Sequence, residues 1–285
     1  MNRIRNEQIR RNQMCRDCWQ LYQPHREKVT ELLLQGSSVP ARQLCVLGAG
    51  NCNDLDLRRL ASSFGRIHLV DLDRESLVAG LATQQLADSS RLVLHGDVDV
   101  SGLGAGLAAW SPTTPVPHDE VRRWIAQATA AAPVVLPEPQ DVVVSVCLLS
   151  QLLDAVKLSL GERHPDLLEL TFAVRARHLR LLLELLRPGG RAVLITDFVS
   201  SVSCPELAHV DQRDLPALAA RLIGEHNFFT GLNPAVLASL FVQDPWLAAR
   251  TARVQLSAPW RWPFPTRIYA VCAVEVWTRT ASVRA

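Results

Sequence analysis

Two glycines one residue apart, Gly48 and Gly50, directly follow the apolar run Gln43–Leu47 and precede Asn51-Cys52-Asn53-Asp54. Glycines in that pattern let the chain turn tightly and leave backbone N–H groups bare, so that a ligand can lie against the main chain. Asn53 or Asp54 offers a side-chain oxygen to cap the helix that should follow. A further carboxylate, Asp71, ends the run 66–70 about 20 residues later, where in a doubly wound sheet an acid meets the two ribose hydroxyls of a nucleoside. One carboxylate can accept both hydroxyl protons, which selects an unphosphorylated ribose. Asp73, two residues on, is placed to cap a helical pattern over 74–86.

Those side chains need strands that end at them. From residue 43 the pattern runs strand, helix, strand, helix, strand, with a third strand at 91–95 followed by Gly96-Asp97-Val98. A segment rich in Gly, Ala and Pro covers roughly 99–140, with a helix near 118–131. Residues 141–146 form a fourth buried strand, 148–160 and 166–186 two helices, and 191–196 a fifth strand entered through Pro188-Gly189-Gly190. Alternation at these lengths specifies a parallel sheet with helices on both faces, which binds ligands at the carboxyl ends of its strands. Gly48, Gly50, Asp71, Asp97 and Ser145 all fall at such ends. The tail changes rhythm: helices over 205–250, then two strand-like runs, 252–258 and 266–276, joined by 259–265. So short a joint makes an antiparallel hairpin. The expected fold is α/β: a doubly wound, mostly parallel seven-stranded sheet, an antiparallel C-terminal hairpin strand and an N-terminal helical cap. The cap covers 1–40 and the main domain 41–285, with helical insertions near 99–140 and 205–250.

The chain of 285 residues is long enough for a full core. With 30 Lys and Arg against 28 Asp and Glu, its formal charge of +2 demands no polyanionic partner. Seven cysteines at scattered spacings point to free thiols and a reducing, cytoplasmic setting. The sequence shows neither a signal-peptide pattern nor an apolar run long enough to span a bilayer.

Residues 1–36 read as helical, with Arg3, Arg5, Arg10, Arg11 and Arg16 interleaved with Ile4, Ile9, Met14, Trp19 and Tyr22. Such a segment is a basic arm for nucleic acid, a lid over the nucleoside cleft, or an amphipathic helix with a solvated charged face. Gly36-Ser37-Ser38-Val39-Pro40 ends it. Cys15 and Cys18 have half the spacing of a zinc site, but no second pair completes it, and no metal is expected. Trp260, Trp262, Phe264, Phe228 and Phe229 are candidates to roof a pocket for a small acceptor, or to serve as ordinary core.

By motif over 43–197, and by topology in the closing hairpin, the chain resembles the class I (Rossmann-like) S-adenosylmethionine-dependent methyltransferases. The resemblance rests on Gly48-Ala49-Gly50, Asp71, Gly96-Asp97-Val98, Ser145-Val146-Cys147 and Leu186-Arg187-Pro188-Gly189-Gly190, in that order. It implies S-adenosyl-L-methionine as cofactor, with Gly48, Ala49 and Gly50 against its methionine part and Asp71 on the ribose. Leu72 would pack on the adenine, Asp97 accept from its amino group and the Val98 N–H meet its ring, while Ser145 and Val146 line the wall near the sulfonium. Val46 stands where many members carry an acid, and Asp54 either replaces that acid or only caps a helix. Asn53 stands at the third glycine position, which weakens a pyrophosphate-binding reading of the turn.

The resemblance implies methyl transfer by in-line displacement, in which placement and exclusion of water matter most. The acceptor is read as a small molecule or a peptide side chain, with nucleic acid disfavoured. Tyr22, His25, His178, His209 and His226 are candidate bases, and Cys147 is a buried thiol rather than a nucleophile. The alternatives are an RNA methyltransferase docked through the basic N-terminal helix, an NAD-dependent oxidoreductase and a non-catalytic cofactor binder. The oxidoreductase requires a third glycine and a parallel sixth strand.

Overall fold

Each apolar run carries residues for two buried faces, which is what strands inside a parallel sheet require. In the computed structural model, which describes residues 3–35, 43–111, 114, 116–130, 134 and 136–280, β1 (Gln43–Leu47) turns Cys45 and Leu47 to one face. Leu44 and Val46 point to the other, and all four are fully buried. β2 (Arg66–Val70), β3 (Leu92–His95), β4 (Gln140–Val146) and β5 (Leu186–Ser200) join it in the order β3-β2-β1-β4-β5, every pair parallel.

Helices connect them. α1 (Arg3–Met14) and α2 (Gln23–Leu34) precede β1, α3 (Leu57–Ser63) leads to β2 and α4 (Arg74–Thr83) to β3. α5 (Gly104–Ala109) and α6 (His118–Ala130) lie between β3 and β4; α7 (Leu148–Leu160) and α8 (Leu167–Glu184) lie between β4 and β5. Beyond β5 come α9 (Leu215–Gly224), α10 (Pro234–Gln243) and α11 (Pro245–Arg250). The chain closes with β6 (Thr251–Leu256), β7 (Trp260–Phe264) and β8 (Arg267–Thr278).

The full order is β3-β2-β1-β4-β5-β8-β6, with β8 antiparallel to β5. The sheet has eight strands rather than the expected seven, because the predicted joint 259–265 contains β7. β8 is 12 residues long and holds two short partners on one edge, β6 along Val274–Thr278 and β7 along Arg267–Val271. Pro263 is tolerated in β7 because an edge strand leaves one row of donors unpaired. Pro188-Gly189-Gly190 also departs from expectation, lying within β5. Gln140 pairs with Leu186 and Val142 with Arg191, so 187–190 bulge out of the ladder.

α2 buries Val29, Leu32 and Leu33 on the sheet face carrying Leu44, Val46, Val193 and Ile195. Arg191 on that sheet donates to the Leu33 carbonyl at 2.8 Å and pairs with Glu275 at 3.1 Å, fixing the end of α2. α7 and α8 cover the opposite face with Leu149, Leu153, Leu170 and Val174. The break expected at 36–40, and with it the boundary at residue 40, lies outside the described residues. No helix among the described residues is long and apolar enough to cross a membrane. All seven cysteines are free and buried.

Candidate functional site

The carboxyl ends of β1 and β2 meet at the glycine turn. Gly48 and Ala49 donate N–H bonds to the Val70 carbonyl at 2.9 and 3.2 Å, which holds the turn against β2. Gly48 has φ +75°, and a Cβ there would stand 2.8 Å from Leu148 Cβ, so both conformation and space demand glycine. Asp71 turns toward this loop. Its Oδ2 accepts from the Gly50 N–H at 2.8 Å and its Oδ1 from the Asp73 N–H at 2.9 Å. Burial raises the Asp71 carboxyl to about 6 against those two lowering bonds. Each oxygen still has a lone pair for a second donor. Asp73 caps α4 as expected, accepting from the Ser76 N–H.

Neither Asn53 nor Asp54 caps a helix. α3 starts later, and its cap is Asp56, which accepts from the Arg59 N–H at 3.0 Å. Asp54 is instead held inside, its Oδ1 lying 3.5 Å from His25 Nε2 with no hydrogen-bond partner. His25 is fully buried, accepts at Nδ1 from Trp260 Nε1 at 3.0 Å, and stacks on Trp262. Burial pushes Asp54 up to about 7 and His25 down to about 3, so the pair does not form a stable ion pair near neutrality.

α1 lies over this end of the sheet as a lid. Asn12 donates to Asp73 Oδ2 at 3.1 Å, while its carbonyl and that of Cys15 accept from Asn51 and Asn53, each at 2.6 Å. Asn53, at the third glycine position, thus ties the turn to the lid. Arg5 pairs with Asp97 and Arg11 with Asp154 and Glu7, while Arg10 also pairs with Glu7 and Arg3 donates to the Leu158 carbonyl. These arginines face the protein's own acids and carbonyls, unlike a basic arm awaiting phosphates. Near the CxxC turn the Tyr22 hydroxyl donates to Cys15 Sγ at 3.2 Å, and burial pushes the Cys15 thiol up to about 12. Among the described residues no group of three His, Cys, Asp or Glu could hold a metal ion.

Under the lid runs a cavity of about 1040 Å³. Gly48, Ala49, Gly50, Asp54 and Asp71 line one end, together with Val146 and Cys147. The other end is walled by Tyr22, Trp262, Phe264, Phe228, Phe229 and Tyr269, with Ser150, Gln151 and Asp197 beside them. Trp260 stays behind this wall as the partner of His25. The Cys147 thiol is fully buried and held well above its ordinary value by burial and by Asp197 and Asp54, so it is not a nucleophile at neutral pH.

Four residues predicted for the cofactor do not line the cavity: Leu72, Asp97, Val98 and Ser145. Ser145 is fully buried on the opposite side, bonded to His178 Nε2 at 2.8 Å, because alternation along β4 turns it toward α8. The Val98 N–H bonds the Asp71 carbonyl at 3.1 Å and Asp97 is engaged by Arg5 of α1, so both groups already have partners within the chain. His178, His209 and His226 also lie off the cavity. Asp197 is the residue that sequence reasoning missed. It follows the predicted fifth strand by one position, and the rule that found Asp71, an acid at a strand's carboxyl end, would have found it too.

No protein-family model matches the sequence, and no curated protein matches it. Among solved structures, the N-methyltransferase NodS from Bradyrhizobium japonicum WM9 aligns with 91% of this chain and 97% of its own, at 11% identity and a TM-score of 0.46. Magnesium protoporphyrin IX methyltransferase (ChlM) from Synechocystis PCC 6803, solved with bound SAH, aligns with 91% of this chain and 84% of its own, at 14% identity and TM-score 0.45. An O-methyltransferase family protein from Burkholderia thailandensis aligns with 93% of this chain and 58% of its own, at 15% identity and TM-score 0.46. With five parallel strands ordered 3-2-1-4-5 and an antiparallel strand inserted beside the fifth, the chain has the class I, Rossmann-like methyltransferase fold.

Proposed function

We propose that this chain binds S-adenosyl-L-methionine and transfers its methyl group to a small-molecule acceptor. The observation that carries this reading is Asp71, whose Oδ2 is held by the Gly50 N–H of the turn and whose Oδ1 is held by the Asp73 N–H, at one end of a cavity that continues to an aromatic wall. At about 1040 Å³ the cavity matches the top of the range of roughly 300–1,000 Å³ for small-ligand pockets, room for a nucleoside and a second molecule.

The residues present fit the cofactor. Asp71 has lone pairs for both ribose hydroxyls. Asn51 Oδ1, Asn53 Oδ1 and Asp54 Oδ1 are buried acceptors without partners on residues that line the same end, which suits the three donors of an α-ammonium group. In this reading Asp54 supplies the charge missing at Val46. Asp97 meets the adenine once Arg5 and α1 shift, while the Val98 N–H stays on the Asp71 carbonyl, and Val146 lines the wall near the sulfur. When bound, the cofactor supplies a methyl group already activated as a sulfonium. The protein's part is then to align the acceptor and exclude water, and positioning of this kind is worth on the order of 7–11 kcal/mol. α1 roofs the cavity, which favours a small acceptor over a peptide. The antiparallel β8 and the lid-bound Asn53 do not fit an NAD-dependent oxidoreductase, which needs a parallel sixth strand and a third glycine.

Calorimetry with S-adenosylhomocysteine, adenosine and NAD tests the proposal. One-site binding of S-adenosylhomocysteine without binding of NAD supports it, and the reverse preference overturns it.

A further inference from the structure

Asp197 is a buried carboxylate in want of a partner. It continues the alternation Val193, Ile195, Asp197 along β5 onto the face covered by α2, and only 5% of the residue is exposed. Its side chain accepts from the Ser150 hydroxyl at 2.6 Å and from its own backbone N–H. Among the described residues no Lys, Arg or His forms an ion pair with it. Of the cations lining the cavity, Arg10 and Arg11 pair with Glu7, Arg11 also with Asp154, and Lys157 with Glu162. Arg163, His164 and Arg267 line it too, Arg267 lying 6.0 Å from the Tyr269 ring, and Arg11 reaches Asp197 only through its charge. A charge in such a place is costly unless something neutralises it.

An aromatic cluster lines the same cavity. Trp262 stands 5.3 Å from Tyr22, 5.5 Å from Phe264 and 5.4 Å from Tyr269, measured between ring centroids. Trp262 and Tyr269 are cross-strand partners in the β7–β8 pair, and Asp197 pairs with Val271 two residues further along β8. The acid and the rings therefore share one face of the sheet. The indole N–H of Trp262, itself buried, has no partner. Rings and a carboxylate together attract a cation, the rings through their quadrupoles and the acid through its charge. An anionic acceptor would meet Asp197 as a like charge. Burial raises Asp197 to about 6, which places its proton affinity where a base at neutral pH is useful.

We infer that the acceptor is an amine whose nitrogen is held by Asp197 inside the wall of Tyr22, Trp262, Phe264 and Tyr269, and that Asp197 takes up the proton this nitrogen must lose. The inference rests on the proposed methyl transfer. The amine enters as an ammonium ion and gives one proton to the Asp197 carboxylate. Its freed lone pair then forms the N–C bond to the methyl carbon as the C–S bond breaks, with the bonding pair going to sulfur. The products are an N-methylammonium ion, a neutral thioether and a protonated Asp197. Ser150 is the positioning residue, fixing the carboxylate through its hydroxyl.

The test is titration of the full chain with tryptamine and 2-phenylethylamine, and with tryptophol and 2-phenylethanol as uncharged counterparts. Calorimetry is run with and without saturating S-adenosylhomocysteine. The amines should bind, and the alcohols should bind at least about 10-fold more weakly. Asp197→Asn should weaken amine binding by a similar factor while S-adenosylhomocysteine affinity stays within about twofold. Asp197→Glu should restore part of the loss. Alcohols binding as well as amines, no amine binding, or an unchanged amine affinity in the Asn variant would overturn the inference. The amine–alcohol comparison uses the unaltered protein and decides the matter even if the variants fail to fold. Amine binding without S-adenosylhomocysteine binding would overturn the cofactor reading and the methyl transfer with it, leaving only an amine-binding site at Asp197.

Discussion

The two ends of the cavity are built differently. At the glycine turn the ligand-facing groups are backbone, the Asn51 and Asn53 amides and two carboxylates, Asp54 and Asp71, of which Asp71 is already held by two backbone N–H donors. At the aromatic end a comparable acid, Asp197, is held by one side-chain hydroxyl and its own N–H, and its neighbours come from α1–α2, β7, β8 and the start of α7. The first end is a rigid local device, suited to a ligand that never changes. The second is a composite of distant segments, suited to defining one particular acceptor. That division also says where substitutions should hurt binding of one ligand and spare the other.

The largest expected effect is at the glycine-turn end. Asp71→Ala removes the acceptor for two hydroxyl groups and leaves the Gly50 and Asp73 N–H groups unpaired. S-adenosylhomocysteine binding should weaken by about 100-fold, near 3 kcal/mol, with amine binding little changed. Equal losses for both ligands in calorimetry would break the division into two ends. Next is Gly48→Ala, which places a methyl 2.8 Å from Leu148 Cβ at φ +75° and should cost about 2 kcal/mol of stability in urea unfolding.

A smaller effect concerns pH. The Asp197 carboxyl lies near 6 in the folded chain, above its ordinary 3.8. The folded state therefore holds more protons between those values, and the stability this confers is full below about 4 and lost as pH rises through about 6. Asp197→Asn lacks the term. Its stability relative to the parent should improve by about 1–2 kcal/mol from pH 4 to pH 7, read from paired unfolding curves. A saturating amine at pH 7 should erase most of that gain, since the bound cation keeps the carboxylate charged. The smallest effect is at the lid. Arg5 and Asp97 are both about half exposed, so Arg5→Ala should change stability by no more than about 0.5 kcal/mol. The same change frees Asp97, which the proposed cofactor reading sets against the adenine, and stopped-flow mixing should then show faster association of S-adenosylhomocysteine.

The sheet was legible where local pattern decides. β1 to β5 follow from short apolar runs, and Asp73 from its place before a helical pattern. The helix start was misread because Asn53, Asp54 and Asp56 are all chemically able to cap, and only tertiary packing selects Asp56 by drawing Asp54 toward His25 and Asn53 toward Cys15. β7 was hidden by Pro263 and by Pro259 and Pro265 on either side, which mark a loop unless a long neighbour such as β8 supplies a ladder. Ser145 was assigned to the wrong face because a strand's end tells which residues are near a cleft but not which side of the sheet the cleft occupies. The acceptor end could not be assembled from spacing at all, since Tyr22, Ser150, Asp197 and Trp262 meet only through the fold.

The most direct measurement is titration of the intact chain and of Asp71→Asn with S-adenosylhomocysteine. Ribose recognition by Asp71 predicts one tight site per chain in the parent and a loss of affinity approaching 100-fold in the variant, about the value of two hydrogen bonds to a charged group. No binding to the parent, or equal affinity for both proteins, would contradict it.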